Sequence, residues 1–148
     1  MTISAQSRRV AAVTAGLVFF VATSAAAQPV RVPLDHETTV AGIGVACTGI
    51  GQTKNDPKWQ AYPVLVEFAG PGGEFLADES MALSDASGAP VLSVACEGPW
   101  ILLKLPPDKT YRVAGRAAER EVNGTVTAPS HGQARFVLTF PPSGDPLE

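Results

Sequence analysis

Histidine, cysteine and charged residues, which carry most catalytic and metal chemistry, are scarce in this chain. Its 148 residues include two histidines, two cysteines and 17% charged residues. Zinc enzymes require several His, Cys or carboxylate ligands held close together. In Asp35-His36-Glu37 we favour a solvated polar cluster over a metal site, and His131 lies in a predicted turn. No GxSxG nucleophile motif is present, so the sequence indicates neither an enzyme nor a bound cofactor.

The chain also lacks a sustained helical period and a basic patch. Once Arg8 and Arg9 are set aside with the leader described below, nine basic residues stand against fourteen acidic ones, a net charge of −5. The acidic residues are scattered rather than grouped. Because Lys and Arg are nowhere concentrated, we expect no binding to nucleic acid or to an anionic membrane surface.

An apolar, uncharged run occupies the start of the chain, from Val10 to Val21. It follows two arginines, and Ser24-Ala25-Ala26-Ala27 places small residues before a cut ahead of Gln28. This arrangement is typical of a bacterial Sec-type signal peptide and predicts export to the periplasm or the medium. The alternative is a membrane anchor, but a spanning helix needs about 20 apolar residues. We therefore expect a leader over 1–27, a folded domain over 28–140, a flexible tail over 141–148 and no stable membrane insertion.

Two cysteines, Cys47 and Cys96, remain in the expected mature chain. In an oxidising compartment such a pair predicts a structural disulfide, which would contribute about 4 kcal/mol by restricting the unfolded chain. A redox pair and a metal thiolate site are the alternatives. Redox pairs usually have CxxC spacing, and a metal site needs more ligands than two distant thiols, so we favour the disulfide.

Apolar residues alternate with other residues in short segments that are separated by turn residues. Val64–Ala69 and Ala134–Phe140 show this alternation most clearly. Tyr111–Gly115, with Tyr111 and Val113 inward, and Arg120–Thr127 are further predicted strands. The pattern predicts an all-β domain, a single antiparallel β-sandwich of seven to eight strands. We expect the first strand over Thr38–Cys47 and an extended piece over Phe75–Ala77. Asp56-Pro57 is a good helix start, so Pro57–Ala61 is expected to form one helical turn.

Five short blocks carry a family resemblance: TGIG at 48–51, FLAD at 75–78, DASG at 85–88, EGPW at 97–100 and LPPDKTYRV at 105–113. Together with the strand pattern VLVEFA, they resemble the carboxypeptidase regulatory-like domains of small secreted bacterial proteins, over residues 61–113. The resemblance implies a transthyretin-like (prealbumin-like) sandwich. Asp108 stands where those proteins usually have a turn glycine. Some members of the wider group bind carbohydrate or partner domains, and most have no assigned activity.

Candidate binding residues lie in the long predicted connection over 49–62 and at the EGPW turn. Exposed aromatic rings stack on sugars or anchor protein partners. Buried rings would instead only cap the core or hold this connection in place. A Cys47–Cys96 bridge would bring the TGIG loop and the EGPW turn to one end of the sandwich, where such folds usually bind. The candidate surface consists of Trp100, Trp59, Tyr62, Gly49 and Gly51.

Acidic residues near turns offer a further possibility. Asp78, Glu79 and Asp85 could supply oxygen ligands to calcium, but we favour a solubilising rim that also blunts strand edges. Asn123-Gly124-Thr125 matches a glycosylation sequon, which we interpret as a turn in a bacterial protein.

Two kinds of binding function remain, with an enzyme as a third possibility. The favoured interpretation is an exported, non-enzymatic accessory domain that displays loops to a protein or cell-envelope partner. The alternative is a carbohydrate-binding module that holds a polysaccharide on exposed aromatics. A small transthyretin-like hydrolase is disfavoured, because the chain ends in DPLE rather than in the YRGS-type tail of the urate-pathway hydrolases.

Overall fold

Ten short strands make up much of the chain in a computed structural model that describes Gly16 and residues 28–143. The expected leader, apart from Gly16, and residues 144–148 lie outside the described part. The strands are β1 (Val30–Arg31), β2 (Glu37–Val40), β3 (Ile43–Thr48), β4 (Val64–Ala69), β5 (Glu79–Asp85), β6 (Pro90–Cys96), β7 (Trp100–Leu103), β8 (Thr110–Ala117), β9 (Arg120–Thr127) and β10 (Ala134–Thr139).

The strands form two five-stranded sheets, consistent with the predicted β-sandwich. Sheet I has the order β1-β6-β5-β8-β9, and sheet II has the order β10-β4-β7-β3-β2. Two pairs at the sheet edges, β1 with β6 and β10 with β4, are parallel. The predicted β-sandwich is therefore confirmed, but it has ten strands rather than seven to eight, and two of its pairs are parallel rather than antiparallel. Alternation shows that a segment is a strand but not the direction of its neighbour.

Inward-facing residues of the two sheets form the main core. Val64, Val66 and Phe68 of β4 are buried, as are Met81 and Leu83 of β5. The rings of Phe68 and Phe140 stack with their centroids 5.8 Å apart. Tyr111 and Val113 also point inward, as their alternation predicted.

The predicted first strand is in fact two strands. Ala41 and Gly42 have φ angles of 51° and 78°, and Val40 pairs with Ile43 across them. Two successive positive φ angles are typical of the two-residue turns that join antiparallel strands. The predicted extended piece at Phe75–Ala77 is reduced to one bridge between Phe75 and Ala69.

A connection between β3 and β4 covers the outer face of sheet II. It contains two 3-10 helices, Gln52–Asn55 and Pro57–Ala61. The Asp56 carboxylate accepts a hydrogen bond from the Lys58 backbone N–H at 2.9 Å, which confirms the predicted helix start. Beneath the connection lies a second apolar cluster, separate from the main core: Ala46, Trp59, Tyr62, Leu65 and Leu102.

The cysteines are joined in a disulfide, as predicted. Cys47 belongs to β3 of sheet II and Cys96 to β6 of sheet I, so the bond links the two sheets covalently. Both residues are buried. The end of the sandwich that carries Cys47, Cys96, the TGIG loop (48–51) and the EGPW turn (97–100) is called the disulfide end below.

We predict that the variant Cys47→Ala/Cys96→Ala loses about 4 kcal/mol of unfolding free energy, since the bond closes a loop between residues 49 apart. Urea unfolding followed by tryptophan fluorescence measures the change. Adding reductant should destabilise the wild-type protein similarly and leave the variant unaffected. Equal stability of wild type and variant would contradict a stabilising role for the bond.

Candidate functional site

Two loops pack against each other at the disulfide end. A side chain at Gly49 would place its Cβ 2.7 Å from Pro99, and Gly49 has a φ of 109°. Gly98 is equally confined, because a Cβ there would collide with the Thr48 carbonyl oxygen. The Pro99 carbonyl accepts a hydrogen bond from the Phe68 N–H at 2.9 Å. The TGIG loop and the EGPW turn therefore form one rigid unit.

The structure separates the three candidate aromatic residues. Trp59 and Tyr62 are each only 3% exposed. The Trp59 indole donates a hydrogen bond to the Thr53 carbonyl at 2.7 Å, and the Tyr62 hydroxyl donates to Glu37. These rings hold the connection onto sheet II and present no open face for stacking on a sugar. Of the three, only Trp100 is partly exposed.

Trp100 lies in a cross-strand row on the outer face of sheet II. Glu67 of β4 pairs with Trp100 of β7 on one side and with Val137 of β10 on the other. Glu67 is buried and forms an ion pair with Arg135. The Arg135 guanidinium in turn lies 5.3 Å from the centroid of the Trp100 ring.

One exposed apolar ring contacts Trp100, and two further exposed apolar residues lie on neighbouring elements. The Phe75 ring meets Trp100 edge-on, with centroids 6.3 Å apart. Ile50 follows Gly49, where an added Cβ would come within 3.0 Å of the Trp100 ring. Ile50 and Phe75 are each 47% exposed, and Val137 is 52% exposed. We call Ile50, Phe75, Trp100 and Val137 the Trp100 patch.

The sequence did not identify Ile50, Phe75 and Val137 as a group. Ile50 and Phe75 lie within the TGIG and FLAD blocks, which were assigned as a loop and an extended piece. Their approach to Trp100 depends on the pairing of β4 with β7 and β10, which alternation alone does not specify.

A groove of about 440 Å³ adjoins the patch, between the connection and β10. Its walls include Lys54, Asn55, Trp59, Trp100, Gln133 and Arg135. The Trp100 Nε1 is buried and has no hydrogen-bond partner among the described residues. We call this the patch groove.

Besides the Glu67–Arg135 pair, a second polar cluster consists of Glu37, Tyr62 and Lys104. Lys104 Nζ lies 2.8 Å from Glu37, and hydrogen bonds from Lys104 and Tyr62 lower the pKa of that carboxyl. Burial, with the hydrogen bond to Glu37, raises the pKa of Tyr62. The phenol therefore stays protonated as a donor, and the three groups neutralise one another.

This cluster and its surroundings form a cavity of about 420 Å³ that also contains Asp35 and His36. The Asp35 carboxylate accepts a hydrogen bond from the Thr48 hydroxyl at 2.7 Å. Among residues 28–143 and Gly16, no group of three His, Cys, Asp or Glu side chains could hold a metal ion.

The sequence suggested that Glu79 belongs to a solubilising rim, but the structure shows that it is buried. It is 1% exposed and pairs with Cys96 on one side and Ala117 on the other, facing inward with Met81. Neither carboxyl oxygen has a hydrogen-bond partner in the described chain. Burial raises the pKa of Glu79 to about 8, with a smaller contribution from the negative charge of Asp78.

The other candidate acids have separate local roles. Asp85 accepts hydrogen bonds from the Ser87 hydroxyl and from the Ser87 and Ala89 N–H groups, which lower its pKa and close the β5–β6 hairpin. Asp78 has a φ of 57° in the turn before β5. Glu79 and Asp85 lie at opposite ends of β5, so the three acids do not form one calcium site. Asn123 lies inside β9 rather than in a turn.

Comparison with known proteins adds no assignment: no protein-family model and no curated protein matches the chain. In the described part of the chain, no helix is both long and apolar enough to cross a membrane.

We predict that Glu79→Gln flattens the pH dependence of stability. The folded-state pKa of about 8 exceeds the usual 4.5, so folding retains a proton that the unfolded chain releases between these values. The wild type should lose up to about 1.4 kcal/mol per pH unit in this interval relative to the variant. Urea unfolding measured from acid to mildly alkaline pH tests this, with exposed Glu119→Gln as control. Parallel curves for wild type and Glu79→Gln would show that Glu79 does not retain the proton.

We predict that Tyr62→Phe lowers the unfolding free energy by about 1–2 kcal/mol, because it removes a hydrogen bond to a charged carboxylate. Tyr111 is the chain's only other tyrosine, and Tyr111→Phe serves as the matched control in the same urea titrations. A loss in the control as large as in Tyr62→Phe would exclude a specific contribution from the Glu37 contact.

Proposed function

We propose that this protein is an exported, non-enzymatic binding domain that presents the Trp100 patch to a protein partner in the cell envelope. One observation carries this proposal. Phe75 contacts the Trp100 ring, Val137 lies two strands from Trp100 in the same cross-strand row, and Ile50 lies in the loop that packs against Pro99 and Trp100. These are three of the four large apolar side chains that are exposed in the described chain, and exposed apolar groups that lie near one another are typical of interaction sites.

The setting of the patch supports a binding role. Two of its residues, Ile50 and Trp100, belong to the TGIG loop and the EGPW turn, which pack together beside the disulfide, so partner binding there would cost little ordering of the backbone. A partly exposed Trp with an adjacent Phe is the type of anchor that dominates interface energies. The resemblance to carboxypeptidase regulatory-like domains is in keeping with such a role.

Export is supported by two features. The leader pattern at residues 1–27 is typical of a signal peptide. The disulfide adds support, because such bonds persist in oxidising compartments and are rare in the cytosol. The same bond keeps the loops of the patch in place outside the cell, where folding aids are few.

A non-enzymatic role is supported by the chemistry of the two polar sites. Glu37 and Lys104 neutralise each other, and Glu67 is paired with Arg135. Glu79 carries a raised pKa but is enclosed in the core. Stacking on a polysaccharide is not favoured, since Trp59 and Tyr62 are buried.

We predict that Ile50→Ser/Phe75→Ser abolishes capture of an envelope partner. The mature protein is crosslinked in cells, recovered by an affinity tag and analysed by mass spectrometry. The variant should reduce enrichment of the partner by about 30-fold or more, as expected for hot-spot residues, while its stability changes by about 1 kcal/mol or less.

The matched control is Val30→Ser. Val30 is 45% exposed and lies on the edge of sheet I, whereas Trp100 and Val137 belong to sheet II. The control should capture the partner as the wild type does. Retained capture by the double variant, or equal loss in the control, would mean that the Trp100 patch is not the binding surface.

A further inference from the structure

The charge beside the Trp100 patch differs in sign from the charge of the chain. The sequence carries a net charge of −3, yet two cations lie over the rings of the patch. Lys54 Nζ is 5.7 Å from the centroid of the Phe75 ring, and Arg135 lies over Trp100. Arg135 is paired with Glu67, and Asp56 in the groove is paired with Lys58, so within the described chain the unpaired positive charge here is that of Lys54. Such a charge on an acidic protein favours a ligand that carries negative charge.

Lys54 is the more informative of these cations. It is half-buried, and no acidic side chain lies within ion-pair distance among the described residues, whereas Arg135 is already paired with Glu67. The ammonium group of a half-buried lysine has already lost part of its water in the free protein. A ligand carboxylate that pairs with such a lysine therefore adds a smaller desolvation cost when it binds. Lys58, its neighbour in the connection, is by contrast 3.9 Å from Asp56.

The patch groove provides space and further donors next to this cation. It holds about 440 Å³ between the connection and β10, with Lys54, Asp56, Trp100, Gln133 and Arg135 on its walls. The Asp56 carboxylate on this wall is paired with Lys58. Trp100 also contributes the unpartnered Nε1. A concave site with these walls suits an extended peptide that carries both acidic and apolar side chains. A flat lipid surface would meet only the tips of Ile50 and Phe75.

We propose that the patch groove binds an extended acidic–apolar peptide segment of the partner. Its apolar side chains pack on Trp100 and Phe75, and its carboxylate pairs with Lys54. This inference rests on the proposed function and specifies the partner's chemistry at the same site.

The test uses three acetylated and amidated synthetic peptides. Each contains a leucine–phenylalanine–leucine core, flanked on both sides by aspartate in the first, asparagine in the second and lysine in the third. Each peptide is titrated into the ¹⁵N-labelled mature protein and followed by NMR. The chain has two tryptophans, so the two indole N–H signals report separately on Trp100 and on the buried Trp59.

The aspartate peptide should shift the Trp100 indole and Lys54 signals saturably. It should bind about fivefold more tightly than the asparagine peptide, as expected for one partly desolvated ion pair, and the lysine peptide should bind most weakly. Lys54→Gln should remove the preference for aspartate while retaining apolar contact. Lys109→Gln, in the turn at the other end of the sandwich, should leave that preference unchanged.

Three results would overturn the inference: equal affinity for all three peptides, shifts confined to residues outside the groove, or no saturable shift. Binding of the protein to phosphatidylglycerol vesicles through Ile50 and Phe75, without peptide binding, would assign the patch to a lipid surface instead. If Ile50→Ser/Phe75→Ser abolishes envelope capture but the peptides are not distinguished, only the partner chemistry is wrong. If that capture is unaffected, the proposed function is wrong as well.

Discussion

Burial of strand β4 on both faces is the constraint on which the rest of the structure depends. All six of its residues are buried, so each face needs its own cover. Sheet I covers Val64, Val66 and Phe68, and the connection covers Leu65 with Trp59 and Tyr62. Trp100 packs against the edge of the cluster beneath the connection and stays partly exposed, and the exposed residues of the Trp100 patch lie beside it.

The disulfide end combines a covalent link with a buried carboxyl that has no hydrogen-bond partner in the described chain. The bond between the sheets, the glycines that admit close loop contact and the row of Cys96, Glu79 and Ala117 all lie there. A carboxyl without a partner costs stability inside a core, and protonation reduces that cost. The covalent link offsets part of the remaining cost and joins the two sheets beside the adjacent loops.

Much of the fold was predictable because alternation, turn residues and the cysteine pair are local signals. They identified β4, β8, β9 and β10, the turn at Pro57–Ala61 and the disulfide. The division of Thr38–Cys47 was missed because Ala41 gives little indication of a positive φ. Asp108, in the turn before β8, adopts a φ of 65°. The patch and the burial of Glu79 depend on which strands become neighbours, and neighbour choice is a property of the whole chain.

The position of the disulfide in the chain also determines what a protease cut would do. Cys47 and Cys96 enclose the entire connection, the exposed loop between β4 and β5 and the β5–β6 hairpin. A single cut at any of these places divides the polypeptide without releasing a fragment, since both pieces remain joined through sulfur. The two pieces are held together at the end of the sandwich that carries the Trp100 patch, so cleavage in this region would not by itself separate the residues of the patch.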